Sequence, residues 1–227
     1  MQIEALGDSA LIIRLPQAPH EILKTLQALK AAKISGMIEF APAYSTIAMF
    51  FDPVAIARDA GGVPPFEFLK SRIASLVAVK RDIAEISGGA VIEIPVCYES
   101  EFGLDLEVVA KKAGLDIAEV VHLHSNADYR VDCIGFTPGF PYLSGLPSRL
   151  ATPRRSVPRK EVVAGSVAIG GTQTGIYPSK SPGGWNVIGR TPFRLFDIER
   201  DPPAIFRSGD HVRFREVTRE QFEAFPR

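Results

Sequence analysis

The stretch from Val163 to Thr191, VAGSVAIGGTQTGIYPSKSPGGWNVIGRT, constrains the fold more than any other segment of the chain. Short runs of β-forming residues alternate in it with glycine and proline. Glycine permits a positive φ and a close approach of backbones, whereas proline fixes φ and removes a hydrogen-bond donor. The pattern therefore predicts short strands and tight turns around a cavity, a binding surface built on a barrel. Several polar residues fall in the expected turns and are candidates to face a ligand: Gln173, Thr174, Tyr177, Ser179, Ser181 and Asn186.

The composition excludes several classes of protein. With 227 residues, 46% of them hydrophobic and 23% charged, the chain can bury a core in one large or two modest domains. Because 26 basic residues balance 26 acidic ones, no net charge draws it to nucleic acid or to anionic lipid, and we expect neither as a partner. The first residues lack a signal-peptide pattern, and no apolar run is long enough for a bilayer, so we expect a cytoplasmic protein.

Residues 1–87 are predicted to form a small α/β domain. A strand over ALIIRL precedes an amphipathic helix from His20 to Ala32, and MIEFAPAY and STIAMFFD form a hairpin before a second helix from about Phe66 to Ala78. Two helices that cover one face of a sheet make an α+β sandwich.

Residues 88–227 are predicted to form a second domain, a β-barrel. Asp105 is expected to cap a short helix that ends at Gly114, and Asp116 with Glu119 forms a capping box for the next helix. Beyond Tyr129 the segments YRVDCIGF, VAIGG, NVIGR, FRLFDI and HVRFREV suggest a closed or nearly closed antiparallel barrel. The fold class is therefore α+β.

The two short helices have the spacing of a DNA-binding helix-turn-helix. A recognition helix needs Arg, Lys, Asn or Gln toward the base edges, but this second helix offers Asp116, Glu119 and two histidines. We interpret the pair as a structural helical hairpin. Cys97 and Cys133 lie in strand-like segments without partners at metal-ligand spacing, and are interpreted as buried thiols.

Two loops carry residues suited to ligand binding. The segment from Gly135 to Tyr142 contains Phe136, Phe140 and Tyr142, which either wall a pocket or fill the core. The segment from Thr152 to Lys160 is basic, and its guanidinium groups suit carboxylate or phosphate oxygens, although most charge runs are simply solvated. Four cations belong to this loop: Arg154, Arg155, Arg159 and Lys160.

Other candidate site residues carry polar groups or rings. Gln173 and Tyr177 can orient a carbonyl or an amide, and Trp185 closes a pocket or a core. The glycines around Gln173 lack the Lys-Ser/Thr of a Walker loop. His122 and His124 are two residues apart on a helix and cannot chelate one metal, so no metal site is expected. His124 is either structural or a general acid/base.

A family resemblance is carried by two segments: HSNADYRVDCIGFTPGFPYLSGLPSRLATPRR and the glycine-rich stretch extended to FRLFD. They resemble the signature of the B subunit of bacterial 5-oxoprolinase, a family also called KipI-like or allophanate hydrolase subunit 1. The resemblance implies a small N-terminal α/β domain followed by a cyclophilin-like antiparallel β-barrel. It also implies a complex with the homologous C subunit plus the lactam-utilisation A subunit; this complex opens 5-oxo-L-proline to L-glutamate with ATP and Mg. No cofactor is expected on this chain alone, which is expected to be inactive by itself.

Under this resemblance we assign roles to the candidates. Arg154 and Arg155 would neutralise substrate carboxylate or phosphate, with Thr174, Tyr142 and Trp185 as further contacts; Gln173 and Tyr177 would orient the lactam, and His124 would move a proton. Two alternatives stay open: the carboxyltransferase component of a urea-carboxylase-like biotin enzyme, with biotin on a partner, and a non-catalytic inhibitor of a histidine kinase. A homo-oligomer of the isolated chain also stays open.

Overall fold

A computed structural model of the protein describes residues 1–15, 19–78 and 91–225, and the chain divides into the units Met1–Ser87 and Gly88–Arg227. Gly88 and Gly89, where the sequence predicts the second domain to begin, lie outside the described residues. Each unit has its own hydrophobic core.

The described part of the first unit contains a four-stranded antiparallel sheet in the order β1-β2-β4-β3. Its strands are β1 (Gln2–Ala5), β2 (Ala10–Arg14), β3 (Met37–Ala43) and β4 (Thr46–Phe51). Its helices are α1 (Pro19–Ala31), α2 (Pro53–Asp59) and α3 (Pro65–Ala78). Alternate residues of β2 and β4 point to one face, so Leu11 and Met49 are fully buried there, against Leu29 of α1 and Leu69 of α3.

The expected hairpin and both expected helices are present in this unit, whereas α2 was missed. The Asp52 carboxylate accepts hydrogen bonds from the amides of Val54 and Ala55, and Pro53 occupies the first turn. An N-cap aspartate followed by proline is a helix-start signal, so the sequence did carry the information.

The second unit is dominated by β-strands. These are β5 (Val91–Val96), β6 (Tyr129–Ile134), β7 (Pro141–Ser144), β8 (Arg159–Val162), β9 (Ser166–Gly170), β10 (Gln173–Ile176), β11 (Ser181–Gly183), β12 (Asn186–Arg190) and β13 (His211–Glu216). Its helices are α4 (Leu106–Ala113), α5 (Ile117–Ser125) and α6 (Arg219–Glu223), with a 3-10 turn at Ser148–Leu150. The Asp116–Glu119 capping box at α5 is confirmed, and α4 ends at Gly114 in the left-handed conformation.

Within the described residues, a seven-stranded sheet in the order β12-β9-β10-β7-β6-β13-β5 curls into a nearly closed barrel. Its two ends meet where Cys97, just after β5, exchanges two backbone hydrogen bonds of 2.9 Å with Arg190 of β12. Apolar side chains such as Val131, Leu143, Ile169 and Val212 fill the interior.

Two expectations about this barrel are wrong. The sheet is not wholly antiparallel, because β13 runs parallel to β5. These strands come from the two ends of the unit, so no hairpin imposes an antiparallel pairing on them. FRLFDI forms no strand: Phe196 makes only an isolated bridge to Ala204, and the prolines at positions 192, 202 and 203 remove backbone donors that a ladder needs.

Candidate functional site

The glycine-rich stretch places its side chains on opposite faces of the barrel sheet. Thr174 of β10 pairs with Leu143 and Ile169, and all three are fully buried in the interior. The next residue, Gly175, pairs with Tyr142 and therefore lies on the outer face. Contrary to expectation, Gln173, Thr174, Ser181 and Asn186 lie on strands rather than in turns.

Five rings pack together on the outer face, and we call them the outer aromatic cluster: Phe136, Phe140, Tyr142, Tyr177 and Trp185. Phe140 is central and lies edge-to-face with Tyr142, Tyr177 and Trp185, at centroid distances of 4.9, 5.3 and 5.6 Å. Phe136 covers Phe140 at 5.4 Å but stays 59% exposed, with a positive φ of 67°. A bulky residue with positive φ is uncommon, so the turn between β6 and β7 holds this ring outward at a conformational cost.

Glycines make room for these rings. A Cβ atom on Gly170 would lie 2.6 Å from Nε1 of Trp185, and one on Gly175 would lie 2.8 Å from the Phe140 ring. A Cβ atom on Gly183 would lie 2.8 Å from Cζ of Tyr177. The expectation that these glycines hold turns open around a cavity is therefore wrong. They allow aromatic rings to lie directly on the sheet backbone, which leaves Tyr177 and Trp185 only 2% and 5% exposed.

Arg154 lies at the edge of the cluster. Its guanidinium carbon is 5.8 Å from the centroid of the Trp185 ring, within the range of a cation–π contact, and the residue is exposed. Burial raises the pKa of the half-buried Tyr142 and of Tyr177, and the charge of Arg154 opposes both shifts. Both phenols are therefore neutral hydrogen-bonding groups near neutral pH.

A polar group that sequence reasoning missed lies on the same sheet. Ser144 Oγ donates to Oδ1 of Asp132 at 2.7 Å, and the Gln173 side chain is also hydrogen-bonded to this carboxylate. Burial raises the pKa of Asp132, while these hydrogen bonds and Arg130 act against the shift. An acidic residue inside the apolar alternation YRVDCI was the available signal, since a strand rarely half-buries a carboxylate without partners.

The basic loop is anchored by Asp105. Arg155 Nη1 donates to its Oδ1 at 2.6 Å, and Arg159 Nη1 donates to its Oδ2 at 2.6 Å. The expected helix cap is therefore wrong, because Asp105 makes no side-chain bond to the first turn of α4 and uses its buried carboxylate for the arginines. Arg155 is likewise not a cation available to a ligand, whereas Arg154 remains exposed.

His124 lies inside the barrel, away from the outer face. Its Nδ1 is 2.8 Å from Tyr98 Oη and its Nε2 is 3.1 Å from Thr174 Oγ1. Because Thr174 donates its proton to the Ala168 carbonyl at 3.0 Å, its oxygen accepts from Nε2–H, and Tyr98 donates to Nδ1. Burial lowers the pKa of His124 to about 3, so the ring is neutral near pH 7. This geometry does not fit the expected grouping of His124 with Gln173 and Tyr177.

Comparison with known proteins defines the family. Residues 1–206 match the protein-family model described as carboxyltransferase domain, subdomain C and D. The 5-oxoprolinase B subunit of Bacillus subtilis is 41% identical over 231 residues, which cover 99% of this chain and 96% of that protein. The chain belongs to the 5-oxoprolinase B-subunit family. Another member, from Escherichia coli O157:H7, is 57% identical over 123 residues, which cover 54% of this chain and 56% of that protein.

The fold extends beyond the B-subunit family. Urea carboxylase of Kluyveromyces lactis superposes with a TM-score of 0.75 at 19% identity, over 97% of this chain and 22% of that one. The expected α+β fold is thereby confirmed in coarse form, as a mixed α/β protein with a barrel-like sheet.

In this member of the B-subunit family, the candidate site residues predicted from the sequence lie in three different places. The outer face of the barrel carries Arg154, Tyr142, Gln173, Tyr177 and Trp185. Thr174 and His124 are interior, and Arg155 is bound to Asp105.

Further expectations concern thiols, metals and membranes. Cys97 and Cys133 are buried and form no disulfide, as expected. The described residues contain no group of three or more His, Cys, Asp or Glu side chains placed to share a metal ion. Across the same residues, no helix has the length and apolar character that a bilayer crossing requires.

Proposed function

We propose that the chain is the B subunit of an ATP-dependent 5-oxoprolinase, acting in the cytoplasm with the homologous C subunit plus the lactam-utilisation A subunit. The observation that carries this proposal is the 41% identity to the B subunit of the Bacillus subtilis enzyme across nearly the whole of both chains. The complex would hydrolyse 5-oxo-L-proline to L-glutamate, and this chain would be inactive alone. We also propose that its second unit is a cyclophilin-like barrel.

The chemistry explains the need for ATP. A lactam is a stable amide, so its carbonyl carbon must be activated before water adds and the ring C–N bond breaks. In the complex, ATP with Mg would supply a phosphoryl group to the carbonyl oxygen with release of ADP, and phosphate would be released after water has added to the carbonyl carbon. Asp105 holds Arg155 and Arg159 in ion pairs, so these two of the four cations in the basic loop are not free to bind a triphosphate. We therefore place the nucleotide on one of the other two subunits.

We assign the lactam to the outer face beside Arg154. The exposed guanidinium would bind the substrate carboxylate, since a charge-assisted bond of this kind is both strong and directional. Gln173 and the half-buried Tyr142 would hydrogen-bond the amide, and the rings of Tyr177 and Trp185 would support them from below. His124 and Thr174 would hold the barrel rather than contact the substrate. A partner chain would complete the site, because Phe136 and Arg154 are exposed on this face.

The decisive experiment reconstitutes the complex from its purified components. Glutamate and ADP are measured after 5-oxo-L-proline and MgATP are added to the A, B and C subunits together, and to each mixture that omits one of them. We expect glutamate release coupled to ADP only in the complete mixture. Release in the absence of this chain, or no release in the complete mixture, would contradict the proposal.

A second candidate is the carboxyltransferase component of a biotin enzyme, with biotin carried by a partner. The match to the carboxyltransferase family model and the shared fold with Kluyveromyces lactis urea carboxylase favour it. The two functions differ in their co-reactant. Consumption of carboxybiotin in the presence of urea or an amide would support the carboxyltransferase, whereas ATP-dependent ring opening without biotin supports the oxoprolinase.

A further inference from the structure

A cleft of about 510 Å³ lies in the second unit, where the two ends of the Val163–Thr191 stretch approach α6. One side is formed by Gly165 and residues 190–194, and the other by Phe222, Glu223 and Phe225. This volume lies within the range of small-molecule sites. The cleft shares no lining residue with the outer aromatic cluster, so it is distinct from the site assigned to the lactam.

Arg190 is held rigidly in the wall of this cleft. Its backbone is bonded to Cys97 where the barrel closes, and its Nε donates to the Ala164 carbonyl at 2.9 Å. Gly165, at a φ of 83°, lies against the neighbouring strand: a Cβ there would overlap the Thr191 carbonyl oxygen and would be in ordinary van der Waals contact, 3.4 Å, with Cγ of Arg190. Among the described residues, no partner bonds the two terminal nitrogens, Nη1 and Nη2. A fixed guanidinium of this kind presents a planar pair of donors.

The other charged groups around the cleft are already paired. Arg194 lies 2.9 Å from Asp197, and Glu223 lies 2.8 Å from Arg219. Within the described part of the cleft, Arg190 is thus the charged side chain that lacks an opposite charge. The ligand should therefore carry a negative group.

Both sides of the cleft carry aromatic rings: Phe193 lies on the side of Arg190, and Phe222 and Phe225 lie on the other. Phe193 and Phe225 lie edge-to-face at 5.8 Å, and Phe222 packs against Phe102 at 4.7 Å. Phe193 remains 37% exposed, so apolar surface is available to a ligand. An inorganic anion would leave these rings in water, and a neutral aromatic molecule would leave the guanidinium without its best acceptor.

We propose that this cleft binds a small organic carboxylate with an apolar body. The carboxylate would accept hydrogen bonds from the terminal nitrogens of Arg190, and the apolar body would lie against Phe193, Phe222 and Phe225. The site is independent of the proposed oxoprolinase function, since it needs neither partner chains nor nucleotide.

The test uses 3-phenylpropionate as the probe, in an NMR titration of the full chain. The matched probes are 3-phenylpropan-1-ol, which keeps the ring but lacks the charge, and acetate, which keeps the charge but lacks the ring. We expect saturable shifts at residues 190–194 and 222–225 with 3-phenylpropionate. Loss of either half should weaken binding by at least about tenfold, the effect of one charge-assisted bond or of one buried ring. Absence of saturable shifts at these residues, or equal affinity for the alcohol, would overturn the proposal.

Variants locate the interaction. Arg190→Lys keeps the charge and an aliphatic stem but removes the planar pair of donors. We expect it to lower the affinity for 3-phenylpropionate by roughly tenfold. Arg213→Gln removes an exposed arginine of β13 that pairs with Asp128, and should leave the affinity unchanged. If circular dichroism shows that Arg190→Lys does not fold, Phe222→Leu replaces it. This variant should lower the affinity for 3-phenylpropionate and for 3-phenylpropan-1-ol by the same factor. Unchanged affinity in the folded variant would place the probe elsewhere.

Discussion

Arg159 binds Asp105 through two parallel hydrogen bonds, 2.6 Å from Nη1 to Oδ2 and 2.9 Å from Nη2 to Oδ1. Arg155 and the amide of Val187 donate to the same carboxylate. These bonds join the basic loop to the start of α4 and to β12. Because Arg154 belongs to that loop, its position over Trp185 depends on an aspartate that lies fifty residues before Arg155 in the sequence.

Asp105→Asn should destabilise the second unit. The variant removes the negative charge of a side chain that is only 1% exposed, and it leaves the guanidinium groups of Arg155 and Arg159 without a counter-charge. Because the arginines are 33% and 21% exposed and recover some hydration, we expect a loss of about 2–3 kcal/mol in the free energy of unfolding, below the full effect of breaking a buried pair. Urea titration measures it. Asp128→Asn, at the exposed pair with Arg213, is the control and should cost less than about 1 kcal/mol. Equal losses in the two variants would contradict the assigned role.

Gly170→Ala should disturb the outer aromatic cluster. The added methyl would overlap the indole of Trp185, and overpacking of this kind costs about 1–3 kcal/mol. Trp185 is the single tryptophan, so its fluorescence reports the displacement directly while denaturant unfolding reports the stability. Gly184→Ala is the matched control, since its Cβ would lie 3.7 Å from Pro158 and should change the stability by less than about 1 kcal/mol. An unchanged spectrum and stability in Gly170→Ala would show that the ring does not lie on this backbone.

Local sequence signals accounted for much of the fold. The helical period near residues 20–32 corresponds to α1 (Pro19–Ala31), the Asp116–Glu119 box begins α5, and NVIGR is β12. Each of these signals acts within one or two turns or along one strand. The short strands PYLS and QTGI were missed because their glycine and proline content is also typical of turns.

Long-range pairing could not be predicted in the same way. Asp105 has the sequence of a helix cap, and only the folded chain brings Arg159, 54 residues away, to its carboxylate. Whether Thr174 faces the interior depends on its register against Leu143, since a shift of one residue would turn it outward. Glycine is ambiguous for the same reason: it suits both an open turn and a ring that lies on the backbone, and only the position of Trp185 decides between them.

His124 should make the stability of the second unit depend on pH. An unfolded histidine binds a proton near pH 6.5, whereas burial lowers the pKa of His124 to about 3 in the folded chain. The unfolded state therefore holds more protons between these values, and stability falls on acidification through this window by up to about 1.4 kcal/mol per pH unit. Unfolding by urea at pH 7, 6 and 5 measures the slope. His124→Gln should flatten it, while His122→Gln, at an exposed site on the same helix, should retain it. An identical slope in His124→Gln would contradict the buried neutral ring.

Arg154 and Gln173 should affect turnover of the reconstituted 5-oxoprolinase without affecting the fold. Arg154 is exposed and Gln173 is half-buried at the start of β10, so Arg154→Ala and Gln173→Ala remove little packing. Gln173→Ala also removes a hydrogen bond to Asp132, which keeps its bond from Ser144. If they bind the lactam as proposed, each should lower kcat/KM for 5-oxo-L-proline by roughly 10- to 100-fold, the range of one charge-assisted or specific hydrogen bond. Thermal unfolding of the isolated variants checks the fold, and Arg213→Ala controls for the loss of a surface charge. Near-normal rates in both variants, with the complex assembled, would remove the outer face beside Trp185 from the catalytic site.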